Sequence, residues 1–477
     1  MNLKIFGKNT IIYALGNIGL RAASFLLIPL YTHALSVEQY GLLATLLLTI
    51  QIMSIFMGLG SRTAFIRFAA EYRDGRMDQL FGSSVLVNFL GGFIVATLSL
   101  TVLLPLFRTM LHLTDVLDLI VLTCLAALAQ TLWMHVISYY RARNDGKTFV
   151  FFSLTGFFLL ILANLVMVVW LRRGIAGVLM AQVAAYGLLW LIVSAKIILK
   201  IGFAISIDVM KMLLKFGSPL VFSMSGDLIT DSTALYMLSF FAGLEQVAIY
   251  SLAYKIAQIA VMTLILPFQL AYEPLVYANI QKPAIKKFIA EILVYLMLAF
   301  AFMALGIVYA FRDLVHLLAP SEYLPSYSIV FMLLPGIAFI GVYYVAESLL
   351  NIRKKTHVTG LVISTMTGLS LVLNFFLIRE WGVYGAVMVF NFTHIAVALI
   401  LLVLGLKSFP IPLKPVRFAA SVGVLFAFLG LTYFLKDTIA PVFYLTIPAV
   451  AIAVIAMLYF SRFVDIRILS TRGAESY

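Results

Sequence analysis

Hydrophobic positions along the chain fall into runs of about 20 residues, divided by short breaks in which Lys, Arg, Gly, Pro and Asn collect. Twenty residues of α-helix rise about 30 Å, the thickness of a bilayer's hydrocarbon core, so each run predicts a spanning helix. About fourteen are expected. The first six lie at 9–33, 40–60, 80–107, 117–140, 150–171 and 175–198, and the next six at 216–242, 248–271, 288–310, 328–350, 358–378 and 384–405. The last two fall at 419–435 and 443–461.

The polar breaks repeat. Gly16 to Gly41 is an apolar run with Arg21 near its middle and a turn bearing Glu38-Gln39; Gly217 to Tyr250 is another, with Gly226, Asp227 and Asp231 near its middle and a turn bearing Glu245-Gln246, 207 residues on. FRTMLHL from Phe107 returns as FRDLVHL from Phe311, at an offset of 204. Lys147-Thr148 returns as Lys355-Thr356, and Gly174-Ile-Ala-Gly177 as Gly382-Val-Tyr-Gly385, both at 208. An offset that spans six helices, an even number, predicts two parallel lobes related by an axis along the membrane normal, a transporter architecture. The expected division is 1–215 for the first lobe, 216–405 for the second, and 406–477 for two extra helices and a tail.

Composition removes the soluble alternatives. Of 477 residues 63% are hydrophobic and 11% charged, and mean hydropathy is +1.08; soluble domains are about half apolar and about a quarter charged. The net charge of +13 does not point to nucleic acid, because Lys and Arg sit in small clusters between apolar runs rather than on one folded face. Of the 33 basic residues, 25 lie in one alternating set of connections and six in the other. By the positive-inside rule the richer set is cytoplasmic, which places both termini of a multi-pass membrane protein on the cytoplasmic side. Arg21 and Lys255 are the two left over, both inside predicted spans. The start resembles a signal peptide, but its run is too long and holds Asn17 and Arg21, so it reads as a retained helix. Cys124, the single cysteine, lies in an apolar run and can form no disulfide within the chain.

Two parallel six-helix lobes, a first helix closing on IPLYTHALSVEQYG, a second leaving through SRTAFIRF, and two further C-terminal helices resemble the polysaccharide-exporter branch of the multidrug, oligosaccharidyl-lipid and polysaccharide (MOP) exporter superfamily, and within it the Wzx-type O-antigen flippases. The resemblance implies an all-α membrane protein with MATE-like lobes. It also implies a secondary transporter, not an enzyme, that moves a polyprenyl (undecaprenyl) diphosphate-linked oligosaccharide to the outer leaflet. Its partners would be that lipid-linked substrate, membrane lipid, and glycan polymerase or assembly proteins. A MATE-type drug/cation antiporter and a lipid II flippase remain alternatives. A membrane glycosyltransferase or polymerase would need an acid-base or metal-binding constellation on a long loop, and no connection is long enough.

Arg21 and Lys255 are the candidate substrate-binding residues. The related lipid II flippases use arginines on the first and eighth helices, and the carry-over is by helix alone. Lys255 departs from that pattern, since an ammonium lacks the guanidinium fork that grips phosphate. The structural alternatives are that Arg21 pairs with an acid on the seventh span and that Lys255 snorkels outward. Asp227 and Asp231, four apart on one helix face, would repel if both were ionised, which suits coupling to H+ or Na+; an interlobe bridge to Arg21 is the alternative. No other cofactor and no metal is expected. Pro29, Pro219, Pro267 and Pro335 interrupt spans as hinges or static kinks. Trp133, Trp170, Trp381 and Tyr444 are expected to anchor at the interfaces. Asp145-Gly146-Lys147-Thr148 is no P-loop, because Arg141 stands where the opening glycine belongs. The six histidines show no paired-ligand spacing.

Overall fold

A computed structural model describes residues 25–72, 76–105 and 117–435; at 103, 222–231, 305, 308–317 and 431–435 it describes the backbone alone. All regular structure among them is helical. The helices are α1 (Phe25–Ala34), α2 (Val37–Gly58), α3 (Ser61–Phe68), α4 (Met77–Leu98), α5 (Leu117–Ala142), α6 (Gly146–Asn164) and α7 (Gly174–Ile201). They continue with α8 (Ile207–Phe241), α9 (Leu244–Ala260), α10 (Leu266–Ala278), α11 (Ala284–Leu318), α12 (Ser326–Ile352), α13 (Thr356–Ser408) and α14 (Pro415–Leu435). π-helical turns at Ser99–Leu103 and Leu165–Trp170 extend α4 and α6, and one at Val261–Ile265 joins α9 to α10. Nine of the described elements are long and apolar enough to cross a membrane. The chain is an all-α, multi-pass membrane protein.

Spans two to thirteen each find their helix. The first 24 residues and the span expected at 443–461 lie outside the described residues. Two boundaries differ for local reasons. The seventh span begins at Ile207 rather than 216: Ser206 caps the helix, its hydroxyl accepting from Val209 N–H, while its own N–H donates to Ser83 Oγ at 2.9 Å. The opening turns carry Asp208, Lys211 and Lys215, which a hydropathy window reads as loop. Spans eleven and twelve run into one element, α13, broken at Gly382.

The repeat has a physical basis in the backbone. Helices starting at Val37, Met77, Leu117 and Gly146 return at Leu244, Ala284, Ser326 and Thr356. The first Glu-Gln pair belongs to a capping box in which Ser36 Oγ accepts from Gln39 N–H and Gln39 Oε1 accepts from Ser36 N–H, both at 3.2 Å, with Glu38 in the favourable first turn. In both Gly-x-x-Gly motifs the first glycine is left-handed, Gly174 at φ +56° and Gly382 at φ +52°. The second glycine lies against a carbonyl of the helix just left: a Cβ on Gly177 would meet Met167 O at 2.9 Å, and one on Gly385 would meet Leu377 O. Each motif brings the helix it opens against the segment just left within a short turn.

The chain forms two compact units, Met1–Ala248 and Ile249–Tyr477. In the first, α5 packs against α2, α3, α4, α6 and α7. An aromatic core of Phe65, Phe81, Trp133, Tyr139, Tyr140 and Phe149 lies at the end bearing Arg141 and Arg143. Trp133 is therefore a core residue and not an interface anchor; a Cβ on Gly156 would touch its ring at 3.2 Å. Trp170 and Trp381 are exposed as an interface role requires. Tyr444 lies outside the described residues. In the second unit α12 packs along α13, and α14 lies on α11, where the Phe302 and Phe428 rings meet edge-on at 5.5 Å. The helix 207–241 packs within the first unit and α14 within the second.

Pro335 sits inside α12, where a proline removes one helical hydrogen bond and pushes the preceding turn open. Asn391 of α13 fills the opening. Gly336 N–H donates to Asn391 Oδ1 at 2.7 Å, and Asn391 Nδ2 donates to Met332 O at 2.6 Å, so the amide stands in for the Gly336-to-Met332 bond the helix would otherwise make. Asn391→Leu should strand both backbone groups at about 1–3 kcal/mol each, lowering the thermal midpoint in detergent. An unchanged midpoint would mean that the kinked turn closes without the amide.

Candidate functional site

The helix that carries Asp227 and Asp231, α8, is held against α2 and the start of α3 at two levels of the first unit, and the start of α9 is held at a third. Near one end Gly60 and Gly217 meet backbone to backbone, with Gly60 in the left-handed region at φ +68°. A Cβ on either glycine would run into the other's main chain. Higher up, Thr49 Oγ1 and Tyr236 Oη hydrogen-bond at 2.8 Å. At the far end Gly41 lies under Leu244 O, where α9 begins. Asp227 and Asp231 fall between the first and second levels, on backbone fixed at both ends. Their side chains, and all of Arg21, lie outside the described residues.

Lys255 lies in α9, half-buried. That helix begins at Leu244, eleven residues before it or about 17 Å of rise, deeper than the seven residues expected from hydropathy. Snorkelling becomes correspondingly harder. The same helix starts an aromatic ladder: Tyr250 stacks on Tyr254 with centroids 6.1 Å apart, Tyr254 meets Phe390 edge-on at 5.8 Å, and Phe390 lies 4.1 Å from the His394 ring. Nothing in the local sequence joins Tyr254 to Phe390, because they meet only when α9 and α13 pack.

Polar groups missed by sequence reading are also buried in the first unit. Tyr31 Oη donates to Asn164 Oδ1 at 3.0 Å, tying the IPLYTHALS segment to α6 just before its π turn. Gln182 Nε2 donates to Gln130 Oε1 at 2.7 Å between α7 and α5. Ser61 Oγ donates to Asn88 Oδ1 at 2.6 Å. Ser84 Oγ donates to Phe81 O, which leaves His135 Nε2 to donate to Ser84 at 2.8 Å; His135 is thus a satisfied core histidine on that side of its ring. Beside this group stands Arg62, outside the spans on α3, with no carboxylate partner among the described residues. Burial, then repulsion from Arg141, holds its guanidinium below the usual arginine range.

Residues 6–277, more than half of the chain, match the family model described as polysaccharide biosynthesis protein. The chain belongs to this family. No curated protein sequence matches it. Among solved structures, this family member is similar to a lipid II flippase, MurJ, in an inward closed conformation. That likeness has a TM-score of 0.73 and 14% identity and covers 95% of this chain and 100% of the other. An inward-facing multidrug-resistance MATE transporter of the MOP superfamily matches with TM-score 0.62 and 14% identity over 84% of this chain and 95% of its own. A MOP superfamily transporter from Pyrococcus furiosus matches at 0.57 and 15%, over 88% and 96%. At these identities the likeness is one of fold: the chain has the all-α fold of these transporter structures.

Proposed function

We propose that the protein is a secondary transporter that flips a polyprenyl diphosphate-linked oligosaccharide from the cytoplasmic to the outer leaflet of the inner membrane, its termini on the cytoplasmic side. The observation that carries this reading is the meeting, in one chain, of a polysaccharide-biosynthesis family sequence with the MOP exporter fold. Arg21 and Lys255 would hold the diphosphate, which cannot enter hydrocarbon without cationic partners. Asp227 and Asp231 would couple the cycle to H+ or Na+, each proton or ion relieving the repulsion between two carboxylates on one helix face. The fixed backbone around them supports a site that changes charge without changing shape. The product would pass to a glycan polymerase or assembly protein.

A strain lacking the protein should accumulate lipid-linked glycan in the inner leaflet, and the wild-type chain should clear it. Unchanged glycan export in the deletion strain would overturn the reading. The second reading, a lipid II flippase, is favoured by the coverage of the whole MurJ chain. It predicts rescue of cells depleted of their own lipid II flippase. A drug/cation antiporter fits less well, because α14 lies beyond the six-helix repeat.

A further inference from the structure

We infer that the second unit carries a headgroup site for an anionic phospholipid, built by Lys286, Arg353 and Lys355 around Ser408 and Phe409. Three cations from two stretches, the start of α11 and the α12–α13 turn, converge there. Lys286, at the start of α11, places Nζ 5.2 Å from the Phe409 ring centroid, and Arg353, in the turn after α12, places Cζ 5.8 Å from the same centroid. Arg353 Nε also donates to Ser408 O at 3.2 Å, and Lys355 Nζ donates to Ser408 Oγ at 3.2 Å. The ring itself is buried, while the three charged side chains are exposed.

Nothing described on the protein neutralises them. None of the three forms an ion pair with a carboxylate among the described residues; Glu291 faces Lys287 at 3.9 Å. Exposed Lys407, Lys414 and Arg417 flank the group and add charge of the same sign. Like charges gathered this closely leave a concentrated positive field, and an anion from outside is what lowers its energy.

The surroundings identify the anion. Leu361 and Val403 of α13 and Val416 of α14 are 69%, 52% and 80% exposed, the first close along the chain to Lys355 and the other two to Ser408 and Phe409. Exposed apolar side chains of spanning helices face acyl chains, so the cationic group stands where lipid-facing surface gives way to polar surface, at headgroup depth. A soluble phosphate would use the cations and leave the apolar flank unused. A phospholipid uses both: its phosphate takes the Arg353 fork and the two ammonium groups, and its chains lie along α13 and α14. The bound lipid would pin the α12–α13 turn and the exit of α13 to one leaflet. The inference is independent of what the protein transports.

The test is native mass spectrometry and thermal shift on the purified full-length chain, titrated with phosphatidylglycerol or phosphatidylcholine. Wild type should retain phosphatidylglycerol and rise in thermal midpoint with it, and respond little to phosphatidylcholine. The triple variant Lys286→Gln, Arg353→Gln, Lys355→Gln should weaken phosphatidylglycerol binding at least tenfold. Arg353→Lys, which keeps the charge and is the fallback should the triple variant misfold, should weaken it about threefold. Lys196→Gln, which removes an exposed cation over the Phe152 ring in the first unit, should leave it unchanged. Wild-type lipid selectivity in the variants of the cluster, or an equal loss in Lys196→Gln, overturns the site. Displacement of phosphatidylglycerol by polyprenyl diphosphate would instead assign the cluster to the transport substrate, and overturn it as a phospholipid site.

Discussion

Replacing Arg21 by alanine is expected to lower lipid-linked glycan flipping about 100-fold or more while leaving insertion intact. Arg21 lies about twelve residues from either end of its apolar run, roughly 18 Å of helix, too deep to snorkel easily. A cation kept there costs about 2.5–3.5 kcal/mol on insertion scales, so it should face a hydrated cavity or a partner. Two charge-assisted hydrogen bonds to a diphosphate, at about 1.5–3 kcal/mol each, amount to a factor of 100 or more when lost. Arg21→Lys should recover only part, because an ammonium cannot make both bonds in the plane of one fork. If Asp227 or Asp231 holds Arg21 in the empty transporter, substrate competes with them and biases the access equilibrium through its different affinity for the two states. The measurement is flipping in proteoliposomes at matched protein density. Normal rates for Arg21→Ala would remove the residue from the site.

What was legible in the sequence follows the range of each interaction. A spanning helix such as 117–142 is written in its own hydropathy, and so is its end at Arg141 and Arg143. The opening turns of α8 are not, because Lys211 and Lys215 make a helical segment look like a connection until the Ser206 cap is seen. Trp133 reads as an anchor by residue type and becomes core only through the bare face of Gly156, 23 residues away. The Gly-x-x-Gly motifs are visible as a repeat, but their cause, a left-handed residue followed by a backbone contact, needs the fold. Pro335 is legible as a kink, whereas Asn391, which repairs it, is not. Of the candidate site, the residues that stood out were charges in the wrong solvent, since that anomaly is local. The Tyr254–Phe390 contact and the Thr49–Tyr236 bond join helices far apart in sequence, and no periodicity announces them.

Gly60→Ala should be the most damaging small substitution in the first unit. Gly60 is left-handed at φ +68°, where alanine costs about 1–2 kcal/mol by backbone strain alone. The added Cβ would meet Gly217 main-chain atoms, with Cα at 2.6 Å, and no flexible side chain is there to give way. Overpacking of that kind costs about 1–3 kcal/mol more, and the only relief is for α8 to move off α3. Asp227 stands ten residues beyond Gly217, about 15 Å along that helix, and the Thr49–Tyr236 bond holds the helix further on. A shift at Gly217 must therefore tilt the segment bearing both carboxylates. Gly174→Ala separates strain from displacement: its φ is +56°, yet nothing lies within 4 Å of the new methyl group. It should lose about 1–2 kcal/mol of stability and keep most transport. Gly60→Ala should lose about 2–5 kcal/mol and at least tenfold in flipping, even in the fraction that inserts and purifies as folded protein. Equal thermal midpoints and equal flipping for the two variants would show that the Gly60–Gly217 contact does not position α8.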